Sequence, residues 1–219
     1  MLAQFILFDG FDPLDVIAPY EVFHCAGMLT GGAVRAELVS AEGPRDVPAG
    51  IPSVSLRATA RLDPERADVI VIPGAVGDLR DPEEERDRTI PAILRRALTT
   101  DLPRLAEQAL RRDDTLVATV CGGSLILGMA GLVEGRPAAT HHLSADALAA
   151  TGVNVVDARV VDDGDLVTGG AVTSGLDVAL HLIERETGPR IAHAVEKVFA
   201  HERRGTVWSS RGPAPVLSA

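Results

Sequence analysis

The chain has 219 residues, 46% of them hydrophobic and 24% charged, which is the composition of an ordinary globular protein and excludes disorder, collagen-like repeats and coiled coil. That length suits one domain that buries roughly 70% of its unfolded surface. Its 31 Asp and Glu outnumber 21 Lys and Arg, for a formal net charge of −10, so nothing in its charge favours a polyanionic partner such as nucleic acid.

Cys25 and Cys121 are the two cysteines, too few for a disulfide framework, and they point to a reducing cytoplasm. Segment 2–8 lacks basic residues and runs into Asp9-Gly10-Phe11-Asp12, which does not fit a signal peptide. It is the first of several short apolar, β-rich runs, followed by 34–40, 69–72, 116–120, 138–140 and 167–168. Between and after them, helical patterns are expected over 18–28, 90–112, 124–132, 144–151, 174–186 and 189–201. Ser144 and Thr173-Ser174 offer caps to later helices, and Gly188-Pro189 separates the last two. Several of the strand runs are unbroken rather than alternating, as expected when helices cover both faces of a sheet. That predicts a doubly wound α/β architecture.

Segment 78–88 reads as a solvated charged loop that could shade an active site. The run 116–133 is uncharged and apolar enough to suggest a membrane span. Its glycines, Gly122, Gly123, Gly128 and Gly131, point instead to a strand, a tight turn and a buried helix, so no membrane is expected as a partner. Segments 155–161 and 166–168 read as a hairpin across Asp162-Asp163-Gly164-Asp165. That acidic cluster lacks the ligand spacing of a calcium loop, and no Cys/His spacing resembles a zinc site. The domain is expected to span 1–205, with 206–219 as a strap or frayed tail rich in Ser, Pro and Gly.

Chemistry points first to Cys121. The strand 116–120 ends there and a helix follows within two or three residues, so the cysteine sits on a sharp strand-to-helix turn whose neighbours, Gly122 and Gly123, must be small. A helix N-terminus beside the thiol should lower its pKa, and its free N–H groups should hold a developing anion. A buried, inert cysteine is the alternative. Asp15, just past the first strand and flanked by Leu14, Val16 and Ile17, is a candidate proton donor, because burial and a nearby thiolate both raise a carboxyl pKa. Its alternative is a helix N-cap, for which Asp12 before Pro13 competes. The loop at Gly74 and Ala75 follows the strand 69–72, and its N–H groups are candidates for an anion-holding role. His141 and His142 follow 138–140; a His beside a Cys can act as base, yet paired histidines also occur simply as polar residues at a strand end.

Gly10-Phe-Asp-Pro-Leu-Asp15-Val-Ile-Ala-Pro19-Tyr-Glu-Val-Phe23, Ile72-Pro-Gly74, Val120-Cys-Gly-Gly-Ser-Leu125, Ala139-Thr-His141 and Thr173-Ser-Gly-Leu-Asp177 together resemble the ThiJ/PfpI superfamily of glutamine-amidotransferase-like domains. The run in which Asp15 is followed by Ala18-Pro19, one residue and Glu21-Val-Phe23 most resembles its isonitrile hydratase branch and relatives fused to transcription regulators. The resemblance implies a flavodoxin-like three-layer α/β sandwich with a mostly parallel sheet, a cytoplasmic homodimer, no cofactor and no metal. It also implies Cys121 as attacking thiolate, Asp15 as proton donor and the Gly74 loop as backbone support, with water adding to a small isonitrile to give an N-substituted formamide.

Two positions depart from the hydratase pattern. A hydroxyl residue is usual where this chain has Gly122, and Gly is usual where it has Ala18. The glutaminase Cys-His-Glu triad is absent at the expected end of the chain. Two other functions stay open: glyoxalase or deglycase chemistry on α-oxoaldehydes, and a non-catalytic ligand or redox sensor. Only about 15 residues follow Arg204, too few for a helix-turn-helix.

Overall fold

The computed structural model describes residues 1–78 and 88–213. Three short, wholly buried strands form the centre of its main sheet: β1 (Leu2–Leu7), β6 (Val69–Ile72) and β7 (Leu116–Thr119). Beside β1 lie β2 (Arg35–Ser40) and β5 (Ala60–Arg61); beside β7 lie β11 (Leu166–Gly169), β10 (Val160–Asp162) and β12 (Trp208–Ser209). The spatial order is β12-β10-β11-β7-β6-β1-β2-β5. Every neighbouring pair is parallel except β10 with β11. A short antiparallel ribbon, β3 (Arg45–Pro48) with β4 (Ser55–Ala58), and a parallel pair, β8 (Pro137–Ala138) with β9 (Asn154–Val155), stand outside this sheet.

The unbroken apolar runs are explained by the layers. Helices α1 (Pro13–Leu29), α6 (Ser174–Thr187) and α7 (Pro189–Phe199) pack on one another, and α2 (Ile90–Leu98), α3 (Leu102–Leu110), α4 (Gly123–Met129) and α5 (Ala145–Ala149) form a second group. Strands covered on both faces have no polar side to show. None of the described helices is long and apolar enough to cross a membrane; the uncharged run 116–133 contains β7, a tight turn and α4.

Several boundaries differ from expectation, each for a local reason. Helix α1 starts at residue 13 rather than 18, because the Asp12 carboxylate accepts the Leu14 N–H at 3.0 Å and Pro13 takes the first helical position. The expected helix 90–112 is two helices. Thr100 Oγ1 donates to the Ala97 carbonyl and accepts the Leu102 N–H, closing one helix and opening the next, with Pro103 in the new first turn. Residues 138–140 do not add a strand to the main sheet: only Ala138 pairs, and it pairs with Val155 in the β8–β9 ribbon. The hairpin therefore shrinks to β10 and β11, turning at Gly164, whose φ is +90°. A 3-10 turn over His142–Ser144 precedes α5.

The acidic cluster of that hairpin is met by basic side chains. Arg136 pairs with Asp163 and Asp165, and Asp162 with His181 and Arg185. The tail contributes β12, parallel to β10. Most of the expected charged loop 78–88, namely 79–87, lies outside the described residues. The parallel order brings the carboxyl ends of β1, β6 and β7 side by side, where open α/β sheets gather their sites.

Candidate active site

Strand β7 stops at Thr119, and two residues later Cys121 turns the chain with φ +55°, a left-handed conformation uncommon for a residue with a Cβ. Its N–H donates to the Gly169 carbonyl at 3.1 Å, and its own carbonyl accepts the Thr140 hydroxyl at 3.0 Å. Two of the three nearby glycines are imposed by packing. A Cβ at Gly123 would lie 2.2 Å from the Ile72 carbonyl oxygen, and one at Gly74 would lie 2.6 Å from the Gly122 nitrogen and 2.9 Å from Asp15 Oδ2. Gly122 is different. Its φ of −72° suits any residue, and a Cβ there would meet Gly74 Cα at 3.6 Å and the Ala75 nitrogen at 3.9 Å, which is ordinary contact. The backbone here does not itself exclude the side-chain-bearing residue expected from the hydratase pattern.

Asp15 is brought to this turn by backbone pairing. The segment after β1 and the loop after β6 are joined by Asp12 N–H to the Gly74 carbonyl (3.0 Å) and Val76 N–H to the Gly10 carbonyl (3.2 Å). In the first turn of α1, Asp15 is fully buried, and its Oδ2 accepts the Gly74 N–H at 2.8 Å. Its other oxygen, Oδ1, is buried with no hydrogen-bond partner among the described residues. Asp12 is the N-cap, so the capping alternative for Asp15 falls away. The carboxyl and the Cys121 thiol are close enough to act on one another.

Burial, reinforced by the charge of Asp12, pushes the Asp15 carboxyl up to about 8 against the lowering effects of the Gly74 N–H and the thiol. The thiol itself is also pushed up, first by burial and then by the Asp15 charge, while the Gly122 N–H pulls it down. This corrects the expectation of a thiol lowered by the helix terminus: Cys121 is only 7% exposed, and desolvation beside a carboxyl outweighs the dipole of the seven-residue α4. Near neutral pH the pair is an undissociated acid beside an undissociated thiol.

The remaining candidates separate. Gly74 spends its N–H on Asp15, so it supports the carboxyl rather than an anion, a correction to its expected part. The Ala75 N–H has no acceptor among the described residues, and it lies beside Gly122. His141 is half-buried and uses Nδ1 to accept the Leu143 N–H at 3.2 Å, while its ring packs 4.3 Å from that of His142. Burial, then the neighbouring His142, hold its pKa below the ordinary imidazole value. The groups that act on the thiol are Asp15, Asp12 and the Gly122 N–H; His141 is not one of them.

Sequence reasoning overlooked the hydroxyls that hold this region. Ser124 Oγ donates to the Ala139 carbonyl (2.7 Å) and pairs with Thr119 Oγ1 (2.6 Å), Thr168 Oγ1 accepts the Ala139 N–H (2.8 Å), and Thr140 reaches Cys121. The signal was present as single hydroxyls inside apolar runs, since a buried hydroxyl needs a partner.

Comparison with known proteins agrees with this layout. The family model described as DJ-1/PfpI family matches residues 1–185. Isonitrile hydratase of Pseudomonas putida is 33% identical over 193 residues, covering 88% of this chain and 75% of that protein. The HTH-type transcriptional regulator CdhR of Pseudomonas aeruginosa is 25% identical over 201 residues, covering 89% of this chain and 53% of the regulator, so the chain spans about half the regulator's length. The crystal structure of Drosophila melanogaster DJ-1beta superposes with a TM-score of 0.73 at 19% identity, over 92% of this chain and 98% of that one, and so shows the shared flavodoxin-like α/β fold. On this match across most of its length, the chain belongs to the DJ-1/PfpI family.

Proposed function

We propose that this protein is a cysteine-dependent hydratase that adds water to a small isonitrile and releases an N-substituted formamide. The observation that carries the reading is the buried Asp15 carboxyl, with a pKa near 8 and one unpartnered oxygen, beside the Cys121 thiol. The 33% identity to the isonitrile hydratase supports the choice of substrate.

An undissociated acid next to an undissociated thiol suits addition to an isonitrile, because the terminal carbon must gain both a proton and a sulfur. The Asp15 carboxyl gives its proton to that carbon while Sγ attacks it, and the carboxylate so formed takes the thiol proton. The product is a thioimidate, R–N=CH–S–Cys121, and the acid is regenerated without a free thiolate ever forming. Water then adds to the imine carbon: Asp15 protonates the nitrogen and receives a proton from the water. Collapse of R–NH–CH(OH)–S–Cys121 forms the formamide carbonyl, breaks the C–S bond and returns the hydroxyl proton to sulfur through Asp15. The Ala75 and Gly122 N–H groups are the donors available to the oxygen of this tetrahedral adduct. The acting protein is read as a cytoplasmic homodimer with a small electrophile as its partner.

Incubation with cyclohexyl isocyanide tests the reading. Formation of N-cyclohexylformamide is expected, and C121S and D15N should each lose at least about a hundredfold in rate. No formamide from reduced protein would refute it. The match to about half of a transcriptional regulator favours, as a second reading, a ligand-sensing domain, which would bind the isonitrile or another electrophile without turnover.

A further inference from the structure

Cys121 holds a backbone conformation that a side-chain-bearing residue seldom keeps unless its surroundings enforce it. Two bonds do so from outside the turn: the Cys121 N–H to Gly169, and the Thr140 hydroxyl to the Cys121 carbonyl. The second bond has a consequence for the sulfur. The Cys121 carbonyl and the Gly122 N–H belong to one rigid peptide plane, and that N–H is the group that lowers the thiol. Fixing the carbonyl end therefore aims the N–H end.

We propose that Thr140 is a positioning residue for the thiol: by holding the Cys121–Gly122 peptide plane through its hydroxyl, it keeps the Gly122 N–H directed at the sulfur and sets how readily Cys121 reacts. Thr140 is itself buried, and its segment is bolted in place one residue earlier by Thr168, which accepts the Ala139 N–H, and by Ser124, which donates to the Ala139 carbonyl. Those two bonds fix the segment; Thr140 alone transmits that fixity to the cysteine. The inference rests on Cys121 as the reacting group but not on the identity of the electrophile.

The test is the rate of Cys121 alkylation by iodoacetamide against pH in the full chain, followed by mass spectrometry of the Cys121 peptide, which keeps it distinct from Cys25. T140V and T140A are expected to react about three- to tenfold more slowly than the parent at a given pH, with the alkylation midpoint moved upward, as loss of one hydrogen bond predicts. T140S, which keeps the hydroxyl, should follow the parent profile. T168V, which keeps the Thr140 hydroxyl but loosens its segment, should lower the melting temperature and displace the midpoint less than T140V does. Folded T140V and T140A with the parent profile, or a T168V midpoint displaced as far as theirs, would overturn the proposal. So would failure of both Thr140 variants to fold, which would make the residue a requirement of the fold alone. Formamide made from cyclohexyl isocyanide by C121S as fast as by the parent would instead refute Cys121 as the reacting group.

Discussion

At Asp15 a single carboxyl controls both stability and chemistry. Its folded pKa, about 8, lies well above the ordinary carboxyl value of 3.8. Below pH ~4 both folded and unfolded chains hold the proton, and the group is neutral with respect to stability. Between pH ~4 and ~8 the folded chain keeps a proton that the unfolded chain has released, so this site destabilises the fold by about 1.4 kcal/mol for each unit of rising pH. D15N removes that dependence. The difference in melting temperature between D15N and the parent should therefore be small near pH 4.5 and widen in favour of the variant toward pH 8; a difference that stays flat would mean that Asp15 ionises freely. On the proposed hydratase reading, the same number predicts turnover that is highest below about pH 8 and falls above it. Cys121, Asp15 and the Gly-Gly pair were legible because a lone cysteine at a strand-to-helix turn and a carboxyl among aliphatics are local patterns. Whether the thiol rises or falls was not legible, since burial and the approach of Asp15 across the sheet outweigh a local helix dipole.

At the scale of elements, the molecule depends on buried polar ties between segments distant in sequence. The clearest holds α6. In its first turn Asp177, 2% exposed, accepts Arg159 Nε at 2.8 Å from beside β10 and the Arg204 N–H at 2.7 Å from the chain beyond α7. On the neighbouring α1, Pro19 fits against Gly175, where a Cβ would come within 3.1 Å of the proline ring. Replacing Asp177 with Ala leaves the Arg204 N–H without its acceptor and Arg159 with only its bonds to Thr173, and should cost about 3 kcal/mol in chemical denaturation; a change below about 0.5 kcal/mol would show that the pair contributes nothing net. Such ties explain what sequence reading missed. Helices 174–186 and 189–201 were found nearly to their ends, because Gly188, with φ +92°, ends the first and Pro189 opens the second, although Thr173 makes no side-chain cap bond. Segment 138–140 looked like another strand of the main sheet, yet the Thr168 and Ser124 hydroxyls hold Ala139 to the cysteine turn, a long-range bond that no window of sequence contains. The helix 90–112 split for a reason that was in view: Thr99-Thr100-Asp101 followed by a proline.

For the whole molecule, a parallel sheet with helices on both faces was legible from the unbroken apolar strands and their helical intervals. The strand order, which places β1 between β6 and β2, was not, because it depends on crossovers rather than on any local pattern. That order is what makes the site: Asp15 follows β1, Gly74 follows β6 and Cys121 follows β7, three adjacent strands ending on one edge. The account requires that this edge perform covalent chemistry at the sulfur and hand the proton through the carboxyl. Intact and peptide-level mass spectrometry of protein quenched shortly after mixing with cyclohexyl isocyanide addresses this directly. An adduct with the mass of one isonitrile on the Cys121 peptide, decaying as formamide accumulates and absent from C121S, is the predicted result; undiminished formamide production by C121S would contradict it.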